Sequence, residues 1–240
     1  MHLSGKRVLV TGGTDGIGAA LIRALRAAGA EIVTSGRTAE RIAATRAEGF
    51  EVVEADLSSL AGVEALVAGL GDRPIDILVN NAGAGIGHDF RLGQPDEAQL
   101  DPGIFLNFNA PIHLITRLMP GLLSRPEAMV VNLTSGLAIA PNGGVPVYCA
   151  TKAALRAYSQ ALRHQLRGTR VHVLEALPPL VATQMNAGRT AGLISAQDCA
   201  GQIVRAMERN AAEANVGLVK VLRLVYSISP ALARRIMIRA

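Results

Sequence analysis

Apolar residues in this chain fall into two alternating patterns from the N-terminus onward: short unbroken runs, and longer stretches in which they recur three or four positions apart. The run RVLVT (7–11) predicts a buried strand, followed by a glycine-rich turn and a helix from Ile17 to Ala28 that Gly29 ends. The same pair of patterns then repeats. EIVTSG (31–36) reads as a second strand, AERIAATRAEG (39–49) as a helix with Gly49 past its end, and FEVVEAD (50–56) as a third strand. LAGVEALVAGL (60–70) is the next helix, and IDILVNNAG (75–83) a fourth strand that runs into polar residues. Residues 102–123 carry a long helical pattern, with Asp101 as N-cap, Pro102 in the first turn and Pro111 predicting a kink. AMVVNLTS (128–135) makes a fifth strand, a helix follows around Tyr148, and RVHVLEAL (170–177) makes a sixth strand ending at Pro178-Pro179. Residues 195–210 read as a helix with an S-x-x-D start, whereas 214–240 fits either a short strand plus helix or a helix alone.

Unbroken apolar strands separated by helices of ten or more residues imply right-handed βαβ units, hence a parallel sheet covered on both faces. The expected fold class is α/β: one Rossmann-type domain over 1–240, a doubly wound parallel sheet flanked by helices. Internal repeats, low-complexity tracts and linkers are absent from the sequence. Half the residues are hydrophobic but only 3% aromatic, so the core must be built from Ala, Val, Leu and Ile.

The net charge of +5 permits anionic ligands without naming one, and no basic tract interleaved with aromatics points to nucleic acid. The most basic and apolar stretch is RLVYSISPALARRIMIRA (223–240), part of an expected helical tail over about 218–240. Its preferred reading is an amphipathic helix that closes the domain, with peripheral membrane contact as the alternative. Cys149 and Cys199 have no metal-ligand or C-x-x-C spacing, so neither a metal site nor a disulfide framework is expected. Residues 128–151 carry no charge, but Asn132, Thr134, Ser135, Pro141 and Asn142 interrupt them. With no signal-peptide pattern at the start, the expectation is a soluble, cytoplasmic chain.

In a doubly wound sheet ligands bind beyond the carboxyl ends of the strands. After the first strand comes TGGTDGIG, in which Gly12, Gly16 and Gly18 leave backbone N–H groups open to a diphosphate at a helix N-terminus, with Thr14, Asp15 and Ile17 in the same turn. The second strand ends at Gly36-Arg37, where an acid would hold the ribose 2′-hydroxyl of NAD and an arginine accommodates the 2′-phosphate of NADP. NADP is therefore expected and NAD remains possible, since Asp15 places an opposing charge nearby. Asp56-Leu57 closes the third strand, where the carboxylate suits an adenine amino group, while Asp56 or Ser58 would equally serve as a helix N-cap. Asn80, Asn81, Ala82 and Gly83 form the mouth of the fourth strand, and Asn80 is a candidate tie between backbone segments. Tyr148 and Lys152 lie four apart, on one helix face.

Taken together, TGGTDGIG, NNAG, Ser135 with Tyr148-x-x-x-Lys152, and PP-x-V-x-T resemble the short-chain dehydrogenase/reductase superfamily over residues 4–185. NFNAPIHL and LPPLVATQM further resemble its DltE-like oxidoreductase branch, from which Pro179 is not a departure although many other members have glycine there. The resemblance implies an NADP(H)-dependent oxidoreductase that interconverts a carbonyl and an alcohol. In it Tyr148 is the general acid/base, Lys152 lowers the phenol's pKa and holds the ribose, and Ser135 binds the substrate oxygen. Asn107, chosen over Asn109, would tie a relay water to the lysine. Pro178, Val181 and Thr183 would flank the nicotinamide, and residues of about 184–200 would enclose an unidentified small-molecule substrate. The family is commonly a homodimer or homotetramer, and Ala153, Ala154, Ala157 and Ala161 suit close helix contact. The alternative in a different functional class is a non-catalytic NADP-binding sensor or partner subunit.

Overall fold

The structure is a computed structural model that describes every residue except Leu92, Pro95, Arg189, Thr190, Ala191 and Ala240. In chain order its first elements are β1 (Arg7–Val10), α1 (Gly16–Ala27), β2 (Glu31–Gly36), α2 (Ala39–Ala47), β3 (Glu51–Glu54), α3 (Leu60–Gly69) and β4 (Ile77–Asn80). The chain continues with α4 (Glu97–Ile104), a π-helical turn (Phe105–Asn109), α5 (Ala110–Leu123), β5 (Ala128–Leu133), α6 (Pro146–Gln165) and β6 (Val171–Leu177). It ends with α7 (Ala196–Glu208), β7 (Glu213–Asn215), α8 (Val219–Ile228) and α9 (Pro230–Met237). The strands form one seven-stranded parallel sheet in the order β3-β2-β1-β4-β5-β6-β7, a doubly wound Rossmann-type architecture.

Successive strand residues point to opposite faces, and here each face has its own aliphatic core. Val8, Val10, Ile77, Val79, Met129 and Val131 pack beneath α1 and α7, against Leu21, Leu25, Ile203 and Met207. The intervening Leu9, Leu78 and Val130 pack on the other side, with Leu66 of α3, Leu114 and Ile115 of α5 and Leu162 of α6. Burial on both faces explains why these strands are unbroken apolar runs in the sequence. The order reverses between β1 and β4, so their carboxyl ends diverge and leave a crevice.

Two regions differ from the sequence reading. The helix expected over 102–123 begins earlier, at Glu97, and its cap is Asp96, whose carboxylate accepts from the Ala98 N–H; Asp101 and Pro102 lie inside it. It is then interrupted by the π-helical turn before Pro111, which sits in the first turn of α5. Pro111 has no N–H to return to the Asn107 carbonyl four residues back, and widening the preceding turn accommodates that loss. The ambiguous stretch from 214 resolves into β7 followed by two helices, with Ser229 capping α9 through the Leu232 N–H. The S-x-x-D start at Ser195 is present as expected, with the Ser195 hydroxyl accepting from the Asp198 N–H at 2.9 Å.

Candidate active site

The crevice is lined by every residue that the sequence nominated for cofactor contact, from Gly12, Thr14, Asp15, Gly16, Ile17 and Gly18 at one wall to Pro178, Val181 and Thr183 at the other. Arg37, Asp56 and Leu57 lie at its outer end; Asn81, Ala82, Gly83, Ser135, Tyr148 and Lys152 lie deeper. Asn107 does not line it but abuts it from behind.

The glycine-rich turn is held by three side chains, two from β2 and one from the end of β4. Thr34 Oγ1 and Ser35 Oγ on β2 accept from the Gly13 and Gly12 N–H groups at 2.9 and 3.2 Å. Asn81 Nδ2 donates to the Thr11 and Gly12 carbonyls at 2.8 and 3.2 Å, locking β1 to β4 where they diverge. The tie between segments is thus made by Asn81; Asn80 instead donates across the sheet to Asn132 Oδ1 at 2.8 Å. Gly16 has φ +54, and a Cβ on Gly18 would collide with the Gly12 carbonyl, so the turn can only be this tight with glycine at both places. A Cβ on Gly16 would also stand 3.1 Å from Thr183, which shows how closely the loop after β6 approaches the turn.

Charge at the outer end is more balanced than the sequence suggested. Asp15 caps α1 through the Gly16 N–H at 2.8 Å, and its other oxygen is paired with Arg41 at 2.7 Å. Arg41, on α2, was invisible as a site residue because it lies ten residues beyond the strand start in sequence and reaches back across the crevice. Arg37 is 66% exposed and 4.0 Å from Asp56, a loose pair that leaves its guanidinium free to engage a ligand anion. Asp56 itself accepts from the Ser58 N–H in a local turn, and the N-cap of α3 is Ser59, so neither Asp56 nor Ser58 has that role.

At the deep end, α6 brings Tyr148 and Lys152 to one face beside Ser135, which follows β5. Lys152 is buried and its Nζ donates to the Leu133 carbonyl at 2.9 Å, while standing 5.7 Å from the centre of the Tyr148 ring. Burial lowers the ammonium to about 8. Burial also pushes the Tyr148 phenol up to about 12, with a Ser135 contact pulling the other way and Cys149 adding slightly to the rise. The expectation that Lys152 depresses the phenol is not met: desolvation of the phenolate dominates, and the group that pulls the other way is Ser135. At neutral pH the site therefore presents a protonated phenol beside a protonated amine.

Asn107 is wholly buried in the π-helical turn, and its carboxamide is locked on one residue: Oδ1 accepts from the Ala84 N–H at 2.8 Å and Nδ2 donates to the Ala84 carbonyl at 2.9 Å. A Cβ on Gly83 would sit 3.0 Å from Asn107 Oδ1 and 3.5 Å from Lys152 Nζ, so all three meet in one small space. Behind them runs a buried ionic chain. Thr134 Oγ1 donates to Glu175 at 2.8 Å, Glu175 pairs with Arg156 of α6 at 2.8 Å, and Arg156 also meets Glu213 of β7 at 3.2 Å. It joins the strand that carries Ser135 to the helix that carries Tyr148.

The segment expected to enclose substrate, 184–200, is described in part. Leu180, Ala182 and Ile194 close the base of this loop through two backbone hydrogen bonds, and Met185 and Leu106 add apolar wall to the crevice. Residues 189–191 lie outside the described residues. Among the described residues no cluster of His, Cys, Asp or Glu is arranged to hold a metal, and no helix is long and apolar enough to cross a membrane.

Comparison with known proteins agrees with this geometry. Residues 6–193 match the family model described as short chain dehydrogenase. The chain is 41% identical over 190 residues to the uncharacterized oxidoreductase DltE of Bacillus subtilis (strain 168), covering 78% of this chain and 75% of that one. A short chain dehydrogenase from Burkholderia cenocepacia J2315 in complex with NADP shares the fold over 100% of both chains, with TM-score 0.87 at 22% identity. A short-chain dehydrogenase from Sphingobium yanoikuyae in complex with NADPH superposes with TM-score 0.79 at 26% identity, covering 87% of each chain. With the glycine turn, Ser135, Tyr148 and Lys152 arrayed along one crevice, the chain belongs to the short-chain dehydrogenase family of oxidoreductases, on its DltE-like branch.

Proposed function

We propose that the crevice binds a nicotinamide dinucleotide, NADP(H) in preference to NAD(H), and that Tyr148 exchanges a proton with the oxygen of a small carbonyl/alcohol pair. The observation that carries this reading is the array itself: anion-accepting backbone and arginines at one end, and a protonated phenol beside a buried amine at the other, within a single crevice. The glycine turn would hold the diphosphate, Arg37 and Arg41 the 2′-phosphate, Asp56 the adenine, Lys152 the ribose, and Val181 and Thr183 the nicotinamide side. When bound, the cofactor supplies or accepts the hydride. Ser135 holds the substrate oxygen, Tyr148 gives it a proton during reduction, and Lys152 stabilises the phenolate left behind. Asn107 keeps the Ala84 backbone in place against Lys152, the position from which the family's relay to the lysine would run.

The state of the two groups favours reduction at neutral pH, because the phenol enters each turnover already protonated. The NADPH-bound relative supports the cofactor preference. The test is consumption of NADPH and NADH with a panel of aldehydes and ketones by wild type and Arg37→Ala. Wild type is expected to favour NADPH. The substitution should lower kcat/KM for NADPH about 10- to 100-fold, the worth of a charge-assisted contact, and leave the NADH value within about twofold. Equal losses with both cofactors would remove Arg37 from this role, and binding without turnover across the panel would favour a sensor.

Small, exposed Ala153 and Ala157 on α6 support self-association through that helix, as a dimer or tetramer. Sedimentation equilibrium should report one of those states, and a monomer at micromolar concentration would refute it. The two free, buried cysteines support a reducing, cytoplasmic setting.

A further inference from the structure

The C-terminal helices carry more apolar surface than closing the domain requires. On α8, Val219, Leu222 and Tyr226 face inward and pack on Ile139 and Leu177, and on α9 Ala233 is buried. The end of α9 is tied down as well, with the Ile238 carbonyl accepting from the Gly143 N–H at 3.1 Å. That accounts for one face of each helix. The outer face of α8 is apolar too, because Val221, Leu224 and Ile228 share it by their three- and four-residue spacing, and on α9 the exposed Leu232 and Ile236 flank the buried Ala233. Leu224 is 61% exposed and Ile228 78% exposed. Of the eleven most exposed large apolar side chains among the described residues, seven lie between Leu218 and Ile238.

Charge identifies what would cover this surface. Residues 217–240 contain Lys220, Arg223, Arg234, Arg235 and Arg239 and no acid, which equals the net charge of +5 for the whole chain. The remaining sequence balances nineteen basic against nineteen acidic residues. Arg223 is partly engaged by Glu213 at 3.7 Å, while Lys220, Arg234, Arg235 and Arg239 are exposed. A second copy docked on this face by two-fold symmetry would set five positive charges against five. An anionic bilayer meets both demands at once: headgroups for the cations, and the acyl boundary for the aliphatic face.

We propose that α8 and α9 form an interfacial docking surface for anionic lipid bilayers, so that the protein lies on such membranes without spanning them. This does not depend on the catalytic reading. The test is co-sedimentation of the full chain with vesicles of phosphatidylglycerol and phosphatidylcholine, and with phosphatidylcholine alone. Two double variants are compared with wild type, I228N/L232N and K220E/R235E, each confirmed as folded by its thermal melt. All four positions are exposed and none lines the crevice. Wild type should bind the mixed vesicles and not the neutral ones. Each double variant, or roughly 0.5 M salt for the charge contribution, should weaken binding by at least about tenfold. Absence of sedimentation with anionic vesicles, or binding that both variants leave unchanged, overturns the proposal. So does loss of a dimer in I228N/L232N by sedimentation equilibrium, which would assign the face to a second copy.

Discussion

Tyr148→Phe is expected to lower kcat for carbonyl reduction by about 10²–10⁴-fold, the usual worth of a positioned general acid, with little change in affinity for NADPH. The substitution removes one hydroxyl and leaves the ring, so the packing of α6 against the crevice is kept. The pH dependence follows from the two shifted groups. Lys152, lowered to about 8, carries its charge below that pH and loses it above; the phenol, raised to about 12, keeps its proton throughout the accessible range. Reductive kcat/KM should therefore be flat from about pH 6 to 7, halve near pH 8 and fall above, as the ammonium that stabilises the developing phenolate disappears. Lys152→Met should abolish that step along with most of the activity. A profile that rises through pH 8 would mean that the phenolate is the active form, contrary to the desolvation argument.

Arg156→Ala should cost about 3–5 kcal/mol of folding stability, because it strands a buried carboxylate. Glu175 is wholly buried between Thr134 and Arg156, and burial already raises its pKa against the opposing effect of the arginine. For a chain of this length such a loss lowers the melting temperature by about 10 °C. The deficit should narrow toward pH 5, since a Glu175 that has lost its cation can take up a proton and become neutral in the folded state. The double variant Arg156→Met/Glu175→Leu, which removes both charges, should recover most of the stability. Urea unfolding of the three proteins checks this, and an Arg156→Ala loss below about 1 kcal/mol would contradict it. The cost matters to the site because Glu175 anchors Thr134, the residue before Ser135.

Much of this was legible in the sequence for a physical reason. Strands covered on both faces must be apolar throughout, and helices that turn back onto a sheet need a stop, so RVLVT, Gly29 and Gly49 announce their elements plainly. The crevice residues were readable because they follow strand ends. What escaped depends on contacts distant in sequence. Arg41 reaches Asp15 across the crevice, and only the folded arrangement shows that the acid is paired. The break before Pro111 was foreseen as a kink, but the π-helical turn that places Asn107 against Ala84 was not, because hydrogen-bond register is not a periodicity of side chains. The Tyr148 phenol was misjudged in direction because spacing on a helix gives proximity and says nothing of desolvation. The tail was ambiguous since Ser229 and Pro230 divide it into two short helices, each too brief to show a long recurrence of its own.

Hydride and proton are proposed to reach one carbonyl group in this crevice, the proton from Tyr148. The most direct measurement uses NADPH deuterated at the transferring position of the nicotinamide, with a substrate from the aldehyde and ketone panel, followed by mass spectrometry of the product. One deuterium on the carbinol carbon from wild type, and essentially none formed by Tyr148→Phe in the same time, is the predicted result. Product made at an undiminished rate by Tyr148→Phe, or label that never leaves the bound cofactor in wild type, would contradict it.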